Sequence, residues 1–397
     1  MTRALRQSLL DVPAVRRYTG HVTYIFAWDI AYELQRAPIK TLLGQPVVQF
    51  QIDTSKRTPR QLLFYRPQTV KLPPVDHVLR DGANGLTGGG IAGQPVTIER
   101  QVKLYSIGGI SITVRVPFDV ASMNDLVHFH DLTYADGTSL HDEVLALAEQ
   151  IRAELHPYLI RPIDRLAQDE AYTVFCVTSP LDLPSGGHVT AEDWLEANRR
   201  HVAALLTEEP DVGHLSGQES DESTSRYLSY YDHDMVVIDW DAALIIDEPK
   251  YIDETVYLME LANLQLAELE AYDRLLDDVI DRAYRDLGGQ ALRKLRRWTG
   301  TKTLKDLREL RVDLARLSDE LSNITKFFGD WHLARIYQTL AARFHLADWY
   351  RTTGEKLKTL DDLYQILQAD RNHRTILILE VTMVLLFIID VAMLFHH

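Results

Sequence analysis

Four aspartates fall within ten residues of this chain: Asp232, Asp234, Asp239 and Asp241, with His233 and Trp240 among them. Grouped carboxylates bind divalent cations or divide acid and base roles. Turn formation accounts for Asp232 and Asp234 more cheaply, because a short carboxylate accepts from backbone N–H groups close in sequence. A second group lies in LVHFHD, where His128 and His130 form an HxH pattern followed by Asp131. On a strand that spacing sets both imidazoles on one face, as a metal pair requires. No third ligand stands at a defined spacing.

The other reactive types point away from chemistry. The run DGANGLTGGGIAG has no following Lys-Ser/Thr and does not lead into a helix, so it lacks the context of a phosphate loop. Cys176, the one cysteine, sits in an apolar strand pattern and reads as a buried thiol. Ser179 and Ser185 have no nucleophile-elbow context. No stretch carries an enzyme signature, and no cofactor is implied. The favoured reading is a membrane-anchored, self-associating scaffold or tether. The alternative is a tail-anchored metal-dependent enzyme or metal-binding protein using the acidic hairpin at 232–241.

The elements that must position these residues divide the 397-residue chain into four parts. Residues 1–20 form a basic tail. Residues 21–247 read as an α+β domain, since strands and helices are interspersed without strict βαβ alternation. HVTYIFAWDIAYEL, PVVQFQID, RQLLFYRP and AYTVFCVTS are strand-like. Gly108-Gly109 predicts a hairpin, and a second hairpin turns near Asp232 to Asp234. Ser139 and Thr190 predict helix N-termini. TEEPDVGHLSGQESDESTS reads as a mobile acidic loop.

Residues 248–370 read as a long antiparallel helical or coiled-coil stalk. Leu307, Leu310, Leu314, Leu317, Leu321, Ile324 and Phe328 form an a/d seam that suits a bundle core or a second subunit. An earlier seam runs through Leu258, Leu261, Gln265, Leu269, Tyr272 and Leu276, with Gln265 its polar member. Arg293, Lys294, Arg296, Arg297, Lys302 and Lys305 surround Trp298 as a basic surface that could meet anionic headgroups.

Residues 371–397 read as one transmembrane helix. From Thr375 to Phe395 nearly every position is apolar, over 21 residues, about the length that spans a ~30 Å hydrocarbon core. Glu380 and Asp390 interrupt it and suggest contact with a partner membrane helix. Arg371, His373 and Arg374 precede the stretch, which predicts a cytosolic body, at a bacterial inner membrane rather than a mitochondrial one. The expected partners are membrane lipid, a partner membrane helix and further copies of the chain. A formal net charge of -15 argues against nucleic acid as the main partner.

Three features resemble the "required for meiotic nuclear division" family. They are the acid-Pro-aromatic stretch Asp247-Glu248-Pro249-Lys250-Tyr251, the helix ELANLQLAELEAYDRLLDDVIDRAY, and the Leu379-Glu380 step at the start of the apolar stretch. Val381 stands where that family has Trp, and the aromatic pair after the Pro is reduced to Tyr251. The similarity covers roughly residues 235 to 395. It implies a membrane-anchored, oligomeric, non-enzymatic protein.

Overall fold

Tyr18–Asp29 is buried on both faces from Val22 to Trp28, as a strand at the centre of a covered sheet must be. A computed structural model describes residues 17–35, 39–50, 67–80, 95–163, 166, 169–181, 188–288 and 331–395. In it this strand, β1, is the middle of a nine-stranded mixed sheet. The other strands are β2 (Val48–Gln49), β3 (Gln68–Val78), β4 (Pro95–Leu104), β5 (Gly109–Val120), β6 (Glu170–Val177), β7 (Tyr227–Leu228), β8 (Met235–Ile238) and β9 (Ala242–Ile246). Their order is β7-β8-β9-β6-β1-β5-β4-β3-β2. The β6–β9 pair is parallel; the other pairings are antiparallel.

One face of this sheet is apolar. Val22, Tyr24, Phe26 and Trp28 of β1 join Val102, Ile112 and Val114 in a single buried cluster. Helices α1 (Leu140–Leu155) and α2 (Ala191–Leu206) supply Val144, Ile151, Trp194 and Leu195 to it. Both helices start where the sequence places them: the Ser139 hydroxyl accepts from Asp142 N and the Thr190 hydroxyl from Asp193 N. The acidic stretch expected as a loop contains a short helix, α3 (Gly217–Ser223), capped by Ser216.

The β4–β5 hairpin forms at the expected glycines. Gly108 has φ +98°, and a Cβ there would collide with the Ala31 carbonyl. Glycine is the residue that fits both constraints.

Among the described residues three helices follow: α4 (Pro249–Gly288), α5 (Trp331–Arg343) and α6 (Leu346–Phe395). The described chain divides into two compact units. The first runs to Glu268 and adds Trp331 to Ala347; the second holds Leu269 to Gly288 and continues from Asp348. In the second unit Leu276, Leu357 and Leu360 form a small core, and Lys356 Nζ lies 2.7 Å from both Asp273 and Asp277.

Two expectations are corrected here. The α+β domain is present, but a long helical or coiled-coil stalk from 248 is not shown. The first half of α4 belongs to the same compact unit as the sheet, because its seam residues Leu258 and Leu261 and the polar Gln265 are buried, Leu261 in a cluster with residues of the sheet. The seam from Leu307 to Phe328 lies outside the described residues, as do Arg293, Lys294, Arg296, Arg297, Lys302 and Lys305.

The transmembrane helix is the second correction. Among the described residues no helix is long and apolar enough to cross a membrane. The apolar stretch is the end of the 50-residue α6, not a separate span. Between Glu380 and Asp390 the acid-free run is Val381 to Ile389, about 13 Å of helix against a ~30 Å hydrocarbon core.

Gly108→Ala is expected to destabilise the first unit by at least about 2 kcal/mol, since it adds both a collision and a strained φ. The midpoint of urea unfolding checks this, with Gly137→Ala, where a Cβ has open space, as the milder comparison.

Candidate functional site

The second face of the sheet is polar, and α4 lies over it. Pairing register aligns Thr69, Lys103, Ser111 and Ala27 across β3, β4, β5 and β1. The next row is Gln101, Thr113, Ile25 and Tyr172, and the one after holds Arg115, Thr23 and Val174. Residues directly opposite across strands share a face. Above them α4 buries Glu254, Thr255, Glu260, Asn263, Gln265 and Glu268.

At the centre, Lys103 Nζ forms an ion pair with Glu260. The side chains are 6% and 0% exposed, so the pair is out of water. Lys103 also lies over two rings, 4.5 Å from the Phe50 centroid and 5.5 Å from that of Tyr257. Aromatic faces favour a nearby ammonium. Among the described residues the second Glu260 oxygen, Oε1, and the Ser111 hydroxyl are buried without a hydrogen-bond partner. Further along α4, Asn263 Nδ2 donates to the Glu170 carbonyl at 2.8 Å, and the Tyr337 hydroxyl of α5 donates to Gln265.

The same face carries His21 opposite Cys176. Burial, helped by the Arg115 guanidinium and opposed by Asp253, pushes the His21 pKa down to about 4. Burial pushes the Cys176 thiol up to about 12. A neutral imidazole beside an un-ionised thiol is not a nucleophilic pair. Arg115 itself reaches Asp253 of α4 at 2.5 Å. Within this layer Lys103 meets Glu260 out of water, and Arg115 meets Asp253 nearer the surface.

The residues singled out from the sequence are held in other ways. β7, β8 and β9 form a meander with two turns, one at Ser229 to Asp234 and one at Asp239 to Asp241. Asp234 Oδ1 accepts from Tyr230 N at 2.7 Å and from Tyr231 N at 3.2 Å, which makes it a turn former. Asp239 Oδ1 accepts from Trp240 N at 2.8 Å and from Arg343 Nε at 3.0 Å. Arg343 also reaches Glu222 at 3.2 Å, tying α5 to the meander and to α3. Asp232 and Asp241 are exposed. Partial burial, together with Glu208 and Asp239 nearby, raises the Asp241 pKa, while His130 opposes the shift.

His128 and His130 are not on a strand. His128 lies in the 3-10 helix Met123–Phe129, and His130 is its C-cap. His130 Nε2 is 2.6 Å from the Leu205 carbonyl, and Nδ1 is 2.9 Å from Glu208. Among the described residues no group of three His, Cys, Asp or Glu side chains is placed to hold a metal ion. Glu380 is exposed on α6, and Asp390 lies ten residues further along the same helix.

Sequence reasoning missed the Lys103–Glu260 pair. Its signal was present: Glu260 interrupts the apolar run YLMELANLQL, and Lys103 interrupts a strand. Only the fold brings residues 157 positions apart together.

Fold and site define a mixed α+β protein built on a buried charge layer. The chain matches the family described as "Uncharacterized protein MJ0711, N-terminal domain" over residues 19–252. It belongs to that family. It is 23% identical to "Uncharacterized protein MJ0711" of Methanocaldococcus jannaschii over 256 residues, covering 63% of this chain and 73% of that protein. No solved structure matches. This corrects the resemblance to the meiotic nuclear division family. That resemblance rested on roughly residues 235 to 395, whereas the family match spans the sheet and ends near the start of α4.

Two outcomes test this site. Glu260→Ala leaves the Lys103 ammonium buried alone and is expected to cost about 3–5 kcal/mol, whereas the double change Lys103→Met/Glu260→Leu costs far less or nothing. Denaturant unfolding of the three variants checks the ordering. For His21 the folded pKa of about 4 lies below the unfolded value of about 6.5. The unfolded chain therefore binds the extra proton between those values, and stability falls as pH falls through that window, by at most about 3 kcal/mol. His21→Gln is expected to flatten that part of the stability curve, measured by urea unfolding between pH 7 and pH 4.

Proposed function

We propose that this protein is a scaffold that self-associates through the C-terminal end of α6, with the α+β unit as the displayed part. One observation carries the reading. From Ile376 to Met393 the large apolar side chains are exposed, between 39% for Val391 and 69% for Phe387. Apolar surface of this extent marks a site of association, because a lone chain in water gains by covering it. Burying each such side chain contributes roughly 1.5–3 kcal/mol.

The polar groups of the first unit fit a structural role. Lys103 with Glu260, Arg343 with Asp239, and Asp234 with its own turn spend their charge inside the fold. The acidic hairpin, which otherwise suggests metal-dependent chemistry, has one carboxylate closing a turn and another bound by arginine.

The test is the solution mass of the full chain beside a chain ending at Asp370, by light scattering. The full chain is expected to be a discrete oligomer and the truncated one a monomer with an unchanged far-UV spectrum per residue of sheet. Equal masses for both would overturn the reading.

A further inference from the structure

We propose that the turn between β7 and β8 is a docking site for an arginine-bearing segment of a partner protein. The proposal concerns the first unit and is independent of association through α6. The turn carries Tyr230, Tyr231 and His233, and their rings make a continuous row with His332 of α5. His332 meets Tyr230 edge-on at 5.4 Å between centroids, Tyr230 meets Tyr231 at 4.7 Å, and Tyr231 stacks on His233 at 5.6 Å with the planes 2° apart. Tyr230 is 54% exposed, Tyr231 44%, and the His233 side chain 61%. The fold holds these rings outward. Buried Asp234 accepts from the backbone N–H groups of both tyrosines, and the Ser229 hydroxyl donates to the Tyr231 carbonyl at 2.8 Å.

The edge of the row is acidic. Asp232 is exposed between Tyr231 and His233, and its carbonyl accepts from Ala191 N. The exposed Glu192 and Asp193 at the start of α2 therefore lie beside the turn. Glu248 comes within 4.0 Å of His233 Nε2, and Lys250 offsets it, so Asp232, Glu192 and Asp193 set the sign. Aromatic faces and carboxylates both attract cations, and carboxylates repel phosphate. Among cations a guanidinium fits best, since it is planar, lies flat on a ring and still offers N–H groups to a carboxylate. Tyrosine and arginine are also residue types that anchor protein interfaces. A turn already fixed by Asp234 loses little freedom on binding.

The experiment is titration of the full chain into a fluorescein-labelled peptide of alternating glycine and arginine, read by anisotropy. The same peptide with lysine and a labelled oligothymidylate are the comparisons. The arginine peptide is expected to bind at least about fivefold tighter than the lysine peptide, and to lose at least about fivefold in Tyr230→Leu/Tyr231→Leu and in Asp232→Asn. Trp240→Leu, 46% exposed on the turn that follows β8, is expected to change nothing. Every variant keeps Asp234, and an unchanged urea midpoint shows that the turn is intact. Should the tyrosine change disturb the fold, the isosteric Asp232→Asn decides alone. No binding, equal affinity for the two peptides, or full affinity in Asp232→Asn would overturn the proposal, since the formal net charge of -15 would then account for any attraction. Equal weakening by Trp240→Leu would overturn it as well, and so would tighter binding of the oligothymidylate, which would make nucleic acid the occupant.

Discussion

The first unit depends on a charge kept out of water. Lys103 stands at mid-strand on a sheet face that α4 covers, and it has to be neutralised there. Glu260 does so from the helix. An isolated buried ammonium is costly, so α4 can seat on the sheet only in the position that brings Glu260 over Lys103. Hydrophobic contact alone would tolerate slippage by a turn; the ion pair, Asn263 on the Glu170 carbonyl and Gln265 under Tyr337 do not. Such a layer specifies one arrangement more than it adds net stability.

The two faces of the sheet divide the labour. The apolar face, packed with α1 and α2, supplies the burial that drives folding. The polar face fixes where α4 goes, and Arg343 with Asp239 and Glu222 fixes α5 on the meander. Charge satisfied inside the fold is not available for catalysis. Among the described residues, the longest run of exposed large apolar side chains lies on α6.

Local features were legible in the sequence because local rules decide them. Ser139 and Thr190 cap helices, Gly108 turns a hairpin, and AYTVFCV is a strand, each from a few adjacent residues. The HxH reading failed because alternation cannot be distinguished from a short 3-10 turn over so few residues. The second hairpin was read with one turn near Asp232 to Asp234 and has a further one at Asp239 to Asp241, since the aspartates supply turn chemistry twice. The helical seam through Leu258, Leu261 and Gln265 was read as a stalk because periodicity reveals an apolar face but not what covers it. In this chain much of that face is covered by the sheet. The membrane reading rested on an apolar run of 21 residues, whereas no helix among the described residues is long and apolar enough to cross a membrane. The central pair was not legible, because pairing across 157 residues follows only from the finished topology.

Hydrogen exchange along α4 tests most directly whether its first half is part of the sheet unit. Peptides covering Thr255 to Glu268 are predicted to exchange only with global unfolding, in step with β4 and β5, and to lose that protection in Glu260→Ala. Fast exchange across Thr255 to Glu268 while β4 and β5 stay protected would contradict the account, since α4 would then be an independent helix not fixed by the buried pair.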